Sequence, residues 1–80
     1  GRRLLDAYPN DMSTIEITVN GQVRRVAPGS TVADLLAELG LESQIVAVEL
    51  NFQVVPRARH AEQRLQAGDR LEIVTLVGGG

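Results

Sequence analysis

The residues best suited to chemistry in this sequence are its last three, Gly78, Gly79 and Gly80. Together with Val77 they can extend about 13 Å beyond a folded body, at roughly 3.3 Å per residue. Glycines have no Cβ, so such a tail fits a narrow channel and adopts dihedral angles closed to other residues. The tail ends in an α-carboxylate, which is ionised at neutral pH. This carboxylate could attack the α-phosphate of ATP, and the resulting acyl-adenylate would be open to a sulfur nucleophile.

Terminal glycines are also typical of a frayed chain end or a cloning scar, so the rest of the chain has to be weighed beside them. The sequence has no cysteine and no lysine, which excludes disulfides, thiol nucleophiles and imine chemistry. Its single histidine, His60, cannot build a zinc site without help from carboxylates, and it lacks an evident nucleophile to activate. We therefore expect a solvated His60, no bound metal or cofactor, and chemistry confined to the glycine end.

Composition narrows the class of protein further. Eighty residues form one small domain, and a net charge of −2 with only two aromatic residues, Tyr8 and Phe52, argues against nucleic-acid binding. The longest apolar run, Ile45 to Val48, is far shorter than the roughly 20 residues of a membrane-spanning helix. No secretory signal pattern opens the chain, so we expect a cytoplasmic protein without a membrane partner.

Local patterns predict a hairpin near the start of the chain. Residues 13–19 alternate between polar and apolar side chains, as a half-buried strand does. Asn20-Gly21 then favours a type I′ turn, and residues 22–27 form the return strand. A two-residue turn would place Gln22 opposite Val19 on the buried face, so we expect a longer turn or a bulge there.

A capped helix follows the hairpin. Thr31 is a good N-cap, and Asp34 three residues later completes a short-armed capping box. Gly40 supplies the left-handed residue that ends the helix. The apolar stripe at helical spacing comprises Val32, Leu35, Leu36 and Leu39.

The second half of the chain predicts three more strands. Residues 45–50 are rich in β-branched side chains and should form a buried strand, which turns at Asn51-Phe52 into a short edge strand over residues 53–55. Residues 57–66 form a loop with at most one helical turn, and Leu65 is its anchor. Residues 71–76 are apolar on both faces, as expected of a central strand.

The order of elements is therefore β-β-α-β-β-β. It fits an α+β β-grasp fold, in which a mixed sheet of four to five strands packs on one main helix with the first and last strands parallel at its centre. We assign residues 12–77 to this domain and residues 78–80 to a flexible tail. Residues 1–11 are interpreted as a tag or disordered extension, or alternatively as a natural N-terminal arm.

In several places the sequence resembles the sulfur carrier protein ThiS family of thiamin biosynthesis, and this resemblance covers essentially all of residues 12–80. The pieces that carry it are Val19-Asn20-Gly21, Thr31-Val32-x-Asp34-Leu35-Leu36, Ala47-Val48-Glu49-Leu50-Asn51, Val55-Pro56-Arg57, Gly68-Asp69-Arg70-Leu71-Glu72-Ile73-Val74 and Val77-Gly78-Gly79-Gly80. Each piece alone is loose, and their order and spacing make the resemblance specific.

The resemblance implies a protein cosubstrate and not an enzyme. An E1-like adenylyltransferase would activate the Gly80 carboxylate with ATP, and a sulfur donor system would convert it to a thiocarboxylate. Thiazole synthase would then take the sulfur to form the thiazole of thiamin. Gly78 and Gly79 would thread with Gly80 into the active sites of these partners.

Three apolar residues are candidates for the surface that docks on such partners. If one face of the sheet is open, then some of Phe52, Val74 and Leu76 should form an exposed patch there, although they could instead cover the edge of the core or the segment 1–11. Asp69 is expected to set its own turn. Partner contact is also possible for four arginines on a solvated surface, namely Arg57, Arg59, Arg64 and Arg70.

Other functions remain open on the residues alone. The small subunit of molybdopterin synthase shares the fold and the glycine end, but it often has a proline before the terminal glycines, which residues 73–77 lack. A non-covalent β-grasp interaction module would work without Gly80. A ubiquitin-like modifier would be found in amide linkage to lysines of other proteins.

Overall fold

The structure is a computed structural model, and it describes residues 13–76. The expectations for the extension 1–11 and for the tail 78–80 fall outside the described residues. The elements in chain order are β1 (Ile15–Val19), β2 (Gln22–Val26), α1 (Val32–Glu38), β3 (Val46–Leu50), β4 (Gln53–Val55), a 3₁₀ turn (Arg57–Arg59) and β5 (Arg70–Thr75).

The first hairpin has the two-residue turn that the Asn-Gly pair favours. Val19 pairs directly with Gln22, and Asn20 and Gly21 take φ values of 51° and 84°. The expectation of a longer turn or a bulge was therefore wrong. Gln22 lies directly beside the turn and is exposed, so the register does not bury its amide. On the same face Arg24 reaches Glu38 of α1, with 3.5 Å between the charged atoms.

The helix begins as its sequence predicts. The backbone N–H of Asp34 donates to the Thr31 hydroxyl (3.1 Å), and the backbone N–H of Thr31 donates to the Asp34 carboxylate (3.0 Å). This reciprocal pair satisfies two of the backbone donors that the first turn of a helix leaves free. It matters here because α1 has only seven residues and would not hold its shape in isolation.

The sheet is mixed, in the order β2-β1-β5-β3-β4, with β5 at its centre. Strand β5 runs parallel to β1, through the pairs Thr18–Arg70 and Val19–Leu71, and antiparallel to β3. Helix α1 covers one face, and the last strand is buried on that face alone. Likewise, the segment 45–50 is only half buried, because Val48 lies in the core while Ala47 and Glu49 face outward.

The core lies between α1 and the inner face of the sheet. Leu65 belongs to it, as predicted for the long loop. The buried apolar residues of the described chain are Ile17, Val26, Val32, Leu35, Leu36, Val48, Val55, Leu65, Leu71 and Ile73. They come from every strand, from the helix and from the loop, so the five strands, the helix and the loop share one core.

His60 differs from its prediction. It is buried, and its Nε2 lies 3.0 Å from the carbonyl oxygen of Val55. The expectation of a solvated side chain was wrong because the residues after the 3₁₀ turn fold back against β4. The backbone carbonyl of His60 also accepts from the N–H of Ala33, so this residue joins the loop to α1.

Candidate functional site: the sheet edge that carries the glycine tail

The described chain is held in the sheet up to its last residue. The backbone N–H of Leu76 donates to the carbonyl oxygen of Ile45 at 2.8 Å, one residue beyond the end of β5. Gly78, Gly79 and Gly80 lie outside the described residues. The part of the site that the structure describes is therefore β5 and the residues around it, which precede the tail in the sequence.

An asparagine side chain fixes the middle of β5. The Nδ2 of Asn20 donates to the carbonyl oxygen of Ile73 (3.0 Å), and the N–H of Ile73 donates to the Oδ1 of Asn20 (2.7 Å). The backbone N–H of Asn20 also donates to β5, to the carbonyl oxygen of Leu71 (2.9 Å). The side chain thus continues the β1–β5 ladder after β1 has turned away. The sequence signal here was interpreted as a turn only, and this second role was missed.

A second polar cluster fixes the start of β5. Asn51 exchanges two hydrogen bonds with Arg70, one through its backbone N–H (2.7 Å) and one through its Oδ1 (3.0 Å). Its Nδ2 donates to Asp69 at 3.0 Å. The other carboxylate oxygen of Asp69 accepts from the N–H of Gln66 at 2.7 Å and closes the turn, as expected. Asparagine side chains therefore hold strand β5 at its start and in its middle.

The structure brings two of the three candidate docking residues together and separates the third. Val74 and Leu76 face outward from β5 and are 56% and 51% exposed. Phe52 is 76% exposed, but it lies in the β3–β4 turn, beside the start of β5. Between the two positions, Glu49 of β3 stands directly opposite Glu72 of β5.

Phe52 occupies an unusual backbone conformation. Its φ is +71°, in the left-handed region, where a bulky residue is a genuine outlier. The guanidinium of Arg70 lies over its ring, 5.4 Å from the centroid. The side chain is thus presented to solvent from a fixed turn.

The other arginines of the loop make local contacts. Arg59 pairs with Glu62 at 3.5 Å, and Arg64 donates to the carbonyl oxygen of Gly29 at 3.4 Å. Arg57 lines a mostly apolar cavity of about 250 Å³ beside His60 and Leu36. This lining includes no hydroxyl or thiol group, so His60 has no nucleophile to activate there.

Two further findings bear on the class of site. Within residues 13–76, no group of three or more His, Asp or Glu side chains is arranged to hold a metal ion. No helix in that part of the chain is long and apolar enough to cross a membrane.

A mixed five-stranded sheet with a parallel central pair, wrapped over one short capped helix, defines a β-grasp domain. The family model described as the ThiS family matches residues 17–80, and the chain belongs to this family. The predicted family and fold are thereby confirmed.

The relatives include proteins of two lengths. The chain is 33% identical over 66 residues to the sulfur carrier protein ThiS of Escherichia coli, covering 82% of this chain and 100% of the relative. It is 42% identical over 66 residues to the thiazole synthase of Paramagnetospirillum magneticum, covering 82% of this chain and 20% of that enzyme. The chain thus spans a fifth of this thiazole synthase, as it does of a second one from Magnetococcus marinus.

A solved structure agrees with the fold. The thiamine biosynthesis protein ThiS from Geobacter metallireducens superimposes with a TM-score of 0.70 at 33% sequence identity, covering 82% of this chain and 100% of that chain. The relatives that the chain covers from end to end are thus a sulfur carrier and a thiamine biosynthesis protein.

Proposed function

We propose that this protein is a sulfur carrier of thiamin biosynthesis whose working group is the α-carboxylate of Gly80. The observation that carries the proposal is the match to the ThiS family, which extends through the glycine end to residue 80. The proposal applies to the form of the protein in which Gly80 carries a free carboxylate.

The chemistry proceeds in two steps. A carboxylate oxygen of Gly80 attacks the α-phosphorus of ATP, pyrophosphate leaves, and an acyl-adenylate forms. A hydrosulfide equivalent from the sulfur donor system then attacks the acyl carbon, and AMP leaves, so that a thiocarboxylate remains. The absence of side chains at Gly78 and Gly79 keeps both steps sterically open.

The carrier needs enzymes for each step, and it acts as their cosubstrate. We assign activation to an E1-like adenylyltransferase that uses ATP, and sulfur acceptance to thiazole synthase. The hydrogen bonds of Asn51 at the start of β5 and of Asn20 at its middle support this assignment, because they fix the strand that precedes the tail in the sequence. The proposal assigns the reaction to the cytoplasm, since activation consumes ATP.

Intact-mass analysis tests the proposal. The protein is incubated with ATP, an adenylyltransferase of the thiamin pathway and a sulfur donor. We expect an oxygen-to-sulfur mass change that tandem mass spectrometry localises to Gly80. Reactions without ATP, and a variant that lacks Gly80, are the controls. If Gly80 stays unchanged with an enzyme that modifies its own carrier, the proposal is wrong.

The same assay separates the rival functions. Thiocarboxylated protein is offered in parallel to thiazole synthase and to the large subunit of molybdopterin synthase. We expect sulfur transfer to the thiazole product. Transfer only to the molybdopterin precursor would assign the protein to the other pathway, and full activity of the variant without Gly80 would indicate a non-covalent interaction module.

A further inference from the structure

The cavity of about 250 Å³ lies beside α1, between the residues that follow the helix and those of the 3₁₀ turn. Three of its walls are alanines, whose small side chains leave the space open. We call it the side cavity, and its apolar walls are Ala33, Leu36, Leu41, Val46, Ala58 and Ala61. It shares no residue with β5, so it is separate from the strand that precedes the tail.

Backbone hydrogen bonds hold these walls in place. The N–H of Ala33 donates to the carbonyl oxygen of His60 (2.9 Å), and the N–H of Leu41 donates to that of Leu36 (2.8 Å). The side cavity is thus pre-formed and mostly apolar, as ligand sites usually are. Since an apolar cavity of about 150 Å³ holds benzene, the side cavity has room for a ligand of about nine non-hydrogen atoms.

Two opposite charges line the side cavity and have no partner in the described chain. Arg57 and Glu42 are both exposed, and neither side chain makes a hydrogen bond or an ion pair with another described residue. Their charged atoms do not come within 4.0 Å of each other either. The other described arginines each contact a carboxylate, a carbonyl oxygen or an aromatic ring. A ligand that pairs with both groups must therefore carry an anion and a cation.

His60 adds a buried acceptor to the same lining. Only 7% of the residue is exposed. Its Nε2 must carry the hydrogen in the bond to Val55, because a carbonyl oxygen can only accept. In the neutral imidazole Nδ1 is then an acceptor, and within residues 13–76 no group donates to it. Nδ1 keeps some contact with solvent, so a ligand in the side cavity can reach it.

We infer that the side cavity binds a free α-amino acid with an aliphatic side chain of the size of leucine. Its carboxylate pairs with Arg57, and its ammonium group pairs with Glu42 and donates to Nδ1 of His60. Its side chain fills the space between the alanines. The apolar walls strengthen both charge contacts, because they exclude water from one side. The inference goes beyond the proposed function and does not depend on Gly80.

Titration of the isotope-labelled protein with L-leucine, followed by two-dimensional amide NMR, tests the inference. We expect the signals of Ala33, Ala58 and Ala61 to shift and saturate with a dissociation constant of about 1 mM, as suits a ligand this small. Isocaproate lacks the ammonium group of leucine, and isoamylamine lacks its carboxylate. Each should bind at least about fivefold more weakly than leucine, because one charge contact is lost.

Variants assign each charge contact to its residue. Arg57→Gln and Glu42→Gln should each raise the dissociation constant for leucine at least about fivefold. In addition, Arg57→Gln should bind leucine no better than isoamylamine, and Glu42→Gln should bind it no better than isocaproate. The matched controls are Arg59→Gln and Glu62→Gln, whose side chains pair with each other and do not line the side cavity. They should stay within about twofold of the wild type.

A variant with a filled cavity supplies a further readout. Ala33→Leu places a larger side chain on the wall that α1 contributes, and we expect it to remove the saturable shifts. Thermal unfolding checks that it folds, and if it does not, the charge variants alone decide. The inference is overturned if the wild type shows no saturable shifts up to about 20 mM leucine. Equal binding of leucine and isocaproate, or of the wild type and the two cavity charge variants, would overturn it as well. Thiocarboxylate formation at Gly80 is measured separately, so either proposal can fail without the other.

Discussion

At the scale of single residues, two asparagine side chains make hydrogen bonds to the backbone of β5 at places where the neighbouring strand has ended. Asn20 supplies a donor and an acceptor to Ile73, and Asn51 supplies an acceptor to Arg70. Each stands in a turn with positive φ, a conformation that asparagine tolerates better than most residues. The central strand is therefore held by side chains at the places where its neighbours turn away.

Substitution of Asn20 tests its contribution. In Asn20→Gly the two bonds to Ile73 are lost while the positive φ remains easy, so we expect the free energy of unfolding to fall by about 2 kcal/mol. Asn20→Ala should lose about 1 kcal/mol more, because alanine is strained at this φ. Urea denaturation followed by circular dichroism measures both. A glycine variant as stable as the wild type would show that the side-chain bonds contribute nothing.

At the scale of elements, the two hairpins use the same turn with different residues. The first has Asn20-Gly21 at φ values of 51° and 84°, and the second has Asn51-Phe52 at 51° and 71°. The first pair is the preferred sequence for a type I′ turn, and the second places a bulky residue where glycine is favoured. The strain at Phe52 is offset only in part by the ring contact with Arg70.

Replacing that phenylalanine should stabilise the fold. Phe52→Gly gives the second hairpin the turn sequence of the first, and little buried surface is lost because the ring is exposed. We expect a gain of about 0.5 kcal/mol or more, which is the relief of strain less the ring contact. Differential scanning calorimetry measures it, with Val54→Gly as the control. That control should destabilise, since Val54 lies in a regular strand, and a loss of stability in Phe52→Gly would contradict the argument.

These elements show which features of the fold can be predicted from local sequence. The alternating pattern of residues 13–19, the Thr31–Asp34 capping box and the positions of the two turns were predicted correctly, because each depends on residues a few positions apart. The predicted bulge near Gln22 and the solvated His60 were wrong. Whether those side chains are buried depends on where α1 ends and where the loop after β4 folds back.

At the scale of the whole molecule, one small core lies between α1 and the inner face of the sheet. Ten buried apolar residues from the strands, the helix and the loop form that core in the described chain. A domain of this size has a small net stability, so each core side chain matters. Among the described residues no other element covers the outer face, so we expect it to contribute little to stability.

A matched pair of leucines tests this division. Leu35 is fully buried and Leu76 is 51% exposed. We expect Leu35→Ala to lower the free energy of unfolding by about 3 kcal/mol, and Leu76→Ala by less than about 1 kcal/mol. Chemical denaturation measures both. A similar loss in the two variants would mean that the outer face is part of the core.

The sequence by itself determined the family, the order of elements, the helix cap and the glycine end, because these are local patterns or a simple succession of them. The tertiary structure alone decided which distant residues meet: Asn20 with Ile73, the loop around His60 with β4, and Glu49 with Glu72. Such meetings depend on strand order and register, and these are set by burial of the whole core rather than by neighbouring residues. For the same reason the candidate docking residues could be named in advance, but their division into a patch at the end of β5 and a separate Phe52 could not.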